Sequence, residues 1–113
     1  MISPAEVEAV CDVIEDLLIK LARLESRVGS TRAESIRYWV YTLAWVKSKL
    51  DRAAQELEAG NSLTASEEAC EAYSFIQKRI ITMRENDAVG QSLRGELVSV
   101  ADLAARLCGR GPR

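Results

Sequence analysis

The stretch from Thr31 to Asn61, TRAESIRYWVYTLAWVKSKLDRAAQELEAGN, decides the fold class. Its apolar residues Ile36, Trp39, Leu43, Val46, Leu50, Ala53 and Leu57 fall at alternating steps of three and four. That alternation keeps one stripe of a helix apolar, whereas a half-buried strand alternates every second residue. Thr31-Arg32-Ala33-Glu34 reads as a capping box at the start, and Gly60-Asn61 reads as the stop. A helix is predicted over about 32–59.

The same grammar recurs on both sides. Upstream, Ser3-Pro4-Ala5-Glu6 is a capping box with proline at the first helical position. Val7, Val10, Ile14, Leu17, Leu21, Leu24 and Val28 then form a seam, widened by Cys11 and Leu18, and Gly29 reads as its stop. Downstream, Thr64-Ala65-Ser66-Glu67 opens a third run carrying Ala69, Tyr73, Ile76, Ile80 and Met83. Asp87 reads as the cap of a last helix with Leu93, Leu97, Val100, Ala104 and Leu107 as its seam, and Gly109 ends it. Gly90 and Gly95 weaken the beginning of that helix by about 1 kcal/mol each, which leaves open a start nearer Ser92. Loops of a few residues between such helices favour antiparallel neighbours. The expectation is an all-α, antiparallel up-down bundle of four helices at about 4–28, 32–59, 65–85 and 88–108. It forms one domain over 1–109, with residues 110–113 as a frayed tail.

Composition narrows function mainly by exclusion. The 113 residues carry 15 Lys+Arg against 17 Asp+Glu, an ordinary globular balance rather than that of a disordered chain. The longest uncharged run is the nine residues Tyr38 to Val46, against the roughly 20 apolar residues of a membrane span. Glu6 and Glu8 stand where a secretory leader would be basic, so a cytoplasmic protein with no membrane partner is expected. Histidine is absent, which removes Ser-His-Asp and Cys-His catalysis and His-containing zinc or di-iron sites. Cys11, Cys70 and Cys108 are too few for a four-cysteine metal site and include no C-x-x-C pair. They read as small buried apolar residues, with a single disulfide left open.

Carboxylate clusters are the enzyme-like feature. Glu8, Asp12 and Asp16 repeat every four residues beside Glu15, and Glu67, Glu68 and Glu71 open the third helix. Glu68-Ala69-Cys70-Glu71 supplies one Glu-x-x-Glu half of the motif of all-helical magnesium pyrophosphohydrolases. Glu85-Asn86-Asp87 lacks the spacing of the other half. Acids near helix starts are also favoured by the helix dipole. No catalytic residue, metal ligand or cofactor is assigned. Residues 27–56 hold six basic side chains (Arg27, Arg32, Arg37, Lys47, Lys49 and Arg52) against three acids. They fall on different helix faces, so ion pairing with the acidic helices is expected rather than nucleic-acid binding.

Around the second turn, Arg52-Ala53, Leu57-Glu58-Ala59-Gly60-Asn61, Ala65, Ala69, Ala72 and Tyr73 are spaced in a recognisable way. Over roughly residues 31–80 this resembles the small archaeal helical family called "domain of unknown function 357". The resemblance implies a compact helical bundle and names no activity.

One pattern does not belong to any seam. Tyr38, Tyr41 and Trp45 occur at i, i+3 and i+7, roughly 150° around the helix from Trp39 and Leu43. Either the second helix is central, with the fourth helix packed on these aromatics, or they form an interface, where tyrosine and tryptophan are enriched. The function expected is a non-enzymatic helical interaction module. It self-associates, or binds a protein partner, through Tyr38, Tyr41 and Trp45. The alternatives are a metal-dependent nucleotide hydrolase using Glu68 and Glu71, or an accessory subunit of a nucleic-acid complex.

Overall fold

The structure is a computed structural model and describes residues 2–109. The predicted tail, 110–113, lies outside the described residues. Five helices follow in order: α1 Pro4–Glu25, α2 Ser30–Glu58, α3 Ser62–Ile81, α4 Ala88–Ser92 and α5 Arg94–Cys108. No strand occurs among the described residues. Among the described residues the fold is all-helical, with five helices rather than four.

The α2 seam is the centre of the core. Ile36, Trp39, Leu43, Val46, Leu50 and Ala53 are all buried, and Leu57 is half-buried. They join one cluster with Val7, Ile14 and Leu21 of α1, Ile76 and Ile80 of α3, and Leu97, Val100 and Ala104 of α5. α2 packs on α1 and α3, α3 packs on α5, and α4 fills the corner against α2 and α5. The long axis of the molecule, 46 Å, is set by α2, whose 29 residues rise about 1.5 Å each. Glu25 pairs with Arg37 at 3.5 Å beside the first turn, and Arg106 approaches Glu6 at 3.8 Å where α1 meets α5.

Several helix ends differ from the sequence expectation. Ser3 caps α1 as predicted, accepting from the Glu6 N–H at 3.3 Å. α1 stops at Glu25, however, so Val28 lies beyond the helix while still packing against the core, and Leu24 is 38% exposed. Gly29 is the N-cap of α2 at φ −74°, not a left-handed stop, and Thr31 lies inside the helix. Likewise α3 starts at Ser62 after Asn61, which places Thr64 in its first turn. Without a carboxylate or hydroxyl on these two caps, the neighbouring helix packing sets where the turns begin.

Gly60 does act as expected. At φ 81° its N–H bonds the Leu57 carbonyl at 3.1 Å, and Asn61 N–H bonds the Glu56 carbonyl at 2.8 Å. This paired closure ends α2 on a residue without Cβ.

The predicted fourth helix is broken in two at Leu93, which ends α4 and begins α5. The cause lies in α2. A Cβ on Gly90 would stand 2.9 Å from the Trp39 ring and 2.6 Å from Asp87 Oδ2, so α4 presses its backbone directly onto the indole. α4 packs on α2 while α5 packs on α3, so the two segments serve different neighbours. Leu93 is buried at the joint.

Cys70 and Cys108 form a disulfide between α3 and the end of α5, with Cα atoms 4.7 Å apart. This replaces the reading of both as free buried thiols. Buried alanines on both helices, Ala65, Ala69 and Ala72 on α3 and Ala101, Ala104 and Ala105 on α5, allow the backbones to approach closely. Cys11 remains a free thiol in the core, as expected.

Candidate functional site

The second face of α2 is where the sequence placed an interface. Helical geometry puts Tyr38, Tyr41 and Trp45 away from the core seam, and the structure divides them. Trp45 lies on Phe75 of α3, with ring centroids 4.2 Å apart and a 32° tilt. It is therefore packed within the chain, against α3 and not under the last helix. Tyr38 and Tyr41 are 44% and 62% exposed.

Cations extend the aromatic row. Lys49 Nζ stands 5.3 Å from the centre of the Trp45 ring. The Arg79 guanidinium lies 3.5 Å over Phe75 and 5.6 Å from Tyr38. Its orientation is fixed by hydrogen bonds as well. Arg79 Nε donates to Thr42 Oγ1 at 3.1 Å, and Arg79 Nη1 donates to the Phe75 carbonyl at 3.4 Å. Thr42, completely buried, points its own proton at the Tyr38 carbonyl at 2.8 Å, leaving its oxygen free to accept. Arg79 also sits in the last turn of α3, where the helix dipole favours a cation.

Beyond Tyr38 the row ends in a groove of about 600 Å³ between the start of α2, the end of α3 and the turn before α4. Asp87 forms its floor. Ser35 Oγ and Gly90 N–H donate to Asp87 Oδ1 at 2.7 and 2.9 Å, and Trp39 Nε1 donates to Oδ2 at 2.9 Å. Burial acts to raise the Asp87 carboxyl, but the bonds from Gly90, Ser35 and Trp39 outweigh it and hold it below the usual carboxylate range. Asp87 is thus an anion with both oxygens hydrogen-bonded within the chain.

The acidic clusters are used differently. Glu68 and Glu71 both pair with Lys49, which bridges α3 to α2. Their hydrogen bonds, Glu71 first, raise the Lys49 ammonium above its ordinary value. Among the described residues no group of three or more Cys, Asp and Glu side chains is placed to hold a metal ion. Glu8, Asp12, Glu15 and Asp16 are exposed along α1. Of the basic residues in 27–56, Arg37 pairs with Glu25, Lys47 with Asp51, and Lys49 with α3.

Phe75, Arg79 and Asp87 complete the site, and the sequence reading did not assign them to it. Phe75 and Arg79 stand four apart on α3, just off the Ile76–Ile80 seam. That spacing is the signal for one shared helix face. No family model matches the chain, and no curated protein or solved structure matches it either. Among the described residues no helix is long and apolar enough to cross a membrane.

Proposed function

We propose that this chain is a non-enzymatic, antiparallel up-down helical interaction module that self-associates through the second face of α2. The observation that carries the reading is the exposure of Tyr38 and Tyr41 on a helix whose opposite face is core. Arg79 joins Tyr38 to Phe75, which packs on Trp45, so a preordered aromatic and cationic row continues from α2 onto α3. Tyrosines on such a surface contribute contact area at little cost in side-chain freedom. The up-down arrangement is supported by pairs that run in opposite order along neighbouring helices. Lys49 meets Glu68 while Thr42 meets Arg79, and Ser66 meets Cys108. A cytoplasmic setting fits the Cys70–Cys108 bridge where the cell is a hyperthermophilic prokaryote, whose intracellular proteins form disulfides. Kinship with the "domain of unknown function 357" family is proposed on the residues around Gly60 alone.

The test is oligomeric mass by light scattering, with helicity measured on the same sample. Wild type is expected at twice the chain mass, and a Tyr38→Glu/Tyr41→Glu double variant at the single-chain mass with unchanged helicity. Two exposed tyrosines serve better than Trp45, whose loss would also disturb Phe75. A wild-type chain that stays monomeric at high concentration overturns the reading.

A further inference from the structure

We infer that the groove beside Asp87 is a binding site for a small organic phosphate, with Arg79 as its fixed cationic contact. Four observations carry this. The groove holds about 600 Å³, within the range of small-molecule sites of roughly 300–1,000 Å³. Arg32, Arg79 and Arg84 all line it, together with Tyr38, Met83 and Asp87. Among the described residues none of the ion pairs includes Arg32, Arg79 or Arg84, whereas Lys47, Lys49 and Arg37 all have carboxylate partners. Finally, Arg79 is held on Phe75, Thr42 and the Phe75 carbonyl, so its guanidinium is oriented before any ligand arrives.

The local charge has the right sign. The lining contains three guanidiniums against Glu34 and Asp87, inside a chain whose net charge is −2. Asp87 forms no ion pair with these arginines, and its carboxylate is held in place by Ser35, Gly90 and Trp39. A planar guanidinium matches phosphate oxygens two at a time. Tyr38, exposed beside Arg79, offers a ring face to the organic part of the ligand. The site therefore selects a phosphate monoester with a flat or apolar body over a bare anion.

Nuclear magnetic resonance of the Arg79 Nε–H tests this directly, because the group reports on the guanidinium itself. Phenyl phosphate, inorganic phosphate and benzoate separate the ring from the charge. Phenyl phosphate is expected to move the Arg79 signal saturably, with inorganic phosphate and benzoate each at least several-fold weaker. Arg79→Lys keeps the charge and loses the fork, and should weaken phenyl phosphate roughly tenfold or more, as for a lost charge-assisted hydrogen bond. Since Arg79 also contacts Thr42, a second variant is needed that leaves the fold alone. Arg32 and Arg84 are exposed, so an Arg32→Gln/Arg84→Gln chain should melt like wild type and still bind several-fold more weakly. No saturable movement up to about 10 mM, a concentration that would reveal even millimolar binding, overturns the inference. Equal binding by the double glutamine variant overturns it as well, and so does equal binding of all three probes. Tyr38 also lies on the proposed dimer face. The titration is therefore repeated on a Tyr41→Glu chain shown to be at single-chain mass, since Tyr41 does not line the groove. Absence of saturable binding there overturns the inference whatever the fate of the dimer.

Discussion

The Trp39 indole donates its Nε1–H to Asp87 Oδ2 at 2.9 Å, joining the core seam of α2 to the cap of α4 across 48 residues of sequence. Trp39 is only 1% exposed, so water has little access to its N–H if the carboxylate is removed. The same carboxylate caps α4 through Gly90 and holds Ser35. Asp87→Ala therefore removes a helix cap and strands a buried donor. The expected loss is about 2–4 kcal/mol, combining the usual costs of those two defects. A urea melt measures it, and a loss under about 0.5 kcal/mol, the size of an ordinary surface change, would show that the network is dispensable.

Acid should dissolve the same network. The Asp87 carboxyl is held below its ordinary value in the folded chain, so folding is favoured by its ionised form. That contribution is present above the unfolded value, near 3.9, and is lost as pH falls through the lower folded value. Asp87→Asn keeps the shape and removes the titration. The stability gap between wild type and Asp87→Asn should be largest near neutral pH and close steadily below about pH 4. A gap that stays constant down to about pH 2 would assign the stabilisation to shape alone.

Gly90→Ala sets two effects against each other. In an exposed helix alanine is favoured over glycine by about 1 kcal/mol. Here the new methyl would stand 2.6 Å from Asp87 Oδ2 and 2.9 Å from the Trp39 ring, and both are held by their mutual hydrogen bond. Overpacking of a fixed neighbour costs typically about 1–3 kcal/mol, so steric conflict should win and thermal stability should fall. The loss should shrink, without vanishing, in an Asp87→Ala background, where the carboxylate is gone and the Trp39 ring remains. A stabilised Gly90→Ala chain would mean that α4 has room to lift off the indole.

The contrast between what was legible and what was not follows the reach of each signal. The seam from Ile36 to Ala53, the Ser3 cap and the Gly60 stop were legible because each depends on residues within one or two helical turns. Asp87 was legible as a cap for the same reason. Its bonds to Ser35 and Trp39 were not, because they span some fifty residues and leave no local period. The break at Leu93 was legible in part, because Gly90 and Gly95 mark a weak helix start, whereas the approach of Gly90 to Trp39 was not. Gly29 misled because glycine suits either end of a helix, and its φ of −74° makes it a start. At the candidate site, the off-seam position of Tyr38, Tyr41 and Trp45 was readable from α2 alone. Their separation into an exposed pair and a packed tryptophan depended on Phe75 and Arg79 arriving from α3.

The three cysteines should behave in two distinct ways. The Cys70–Cys108 bridge closes 38 residues that include the whole α3–α5 junction and the close-packed corner at Gly90. Chain-entropy arithmetic for a loop of that size gives about 4 kcal/mol of stabilisation. Reduction, or a Cys70→Ser/Cys108→Ser variant, should lower the melting temperature markedly while leaving the helices formed, since buried alanines and Leu97 still hold α5 to α3. Cys11 is the opposite case. Burial first, and then its contact with the Asp51 carboxylate, push its thiol up to about 12, so almost no thiolate exists at pH 8. Mass spectrometry after iodoacetamide at that pH should find no label on the native oxidised chain, one label after unfolding without reductant, and three after unfolding with it. Labelling of native Cys11 at the rate of a free peptide thiol would show that α1 opens from α2 far more readily than its packing implies. Three labels on the chain unfolded without reductant would remove the bridge, and with it the expected loss on reduction.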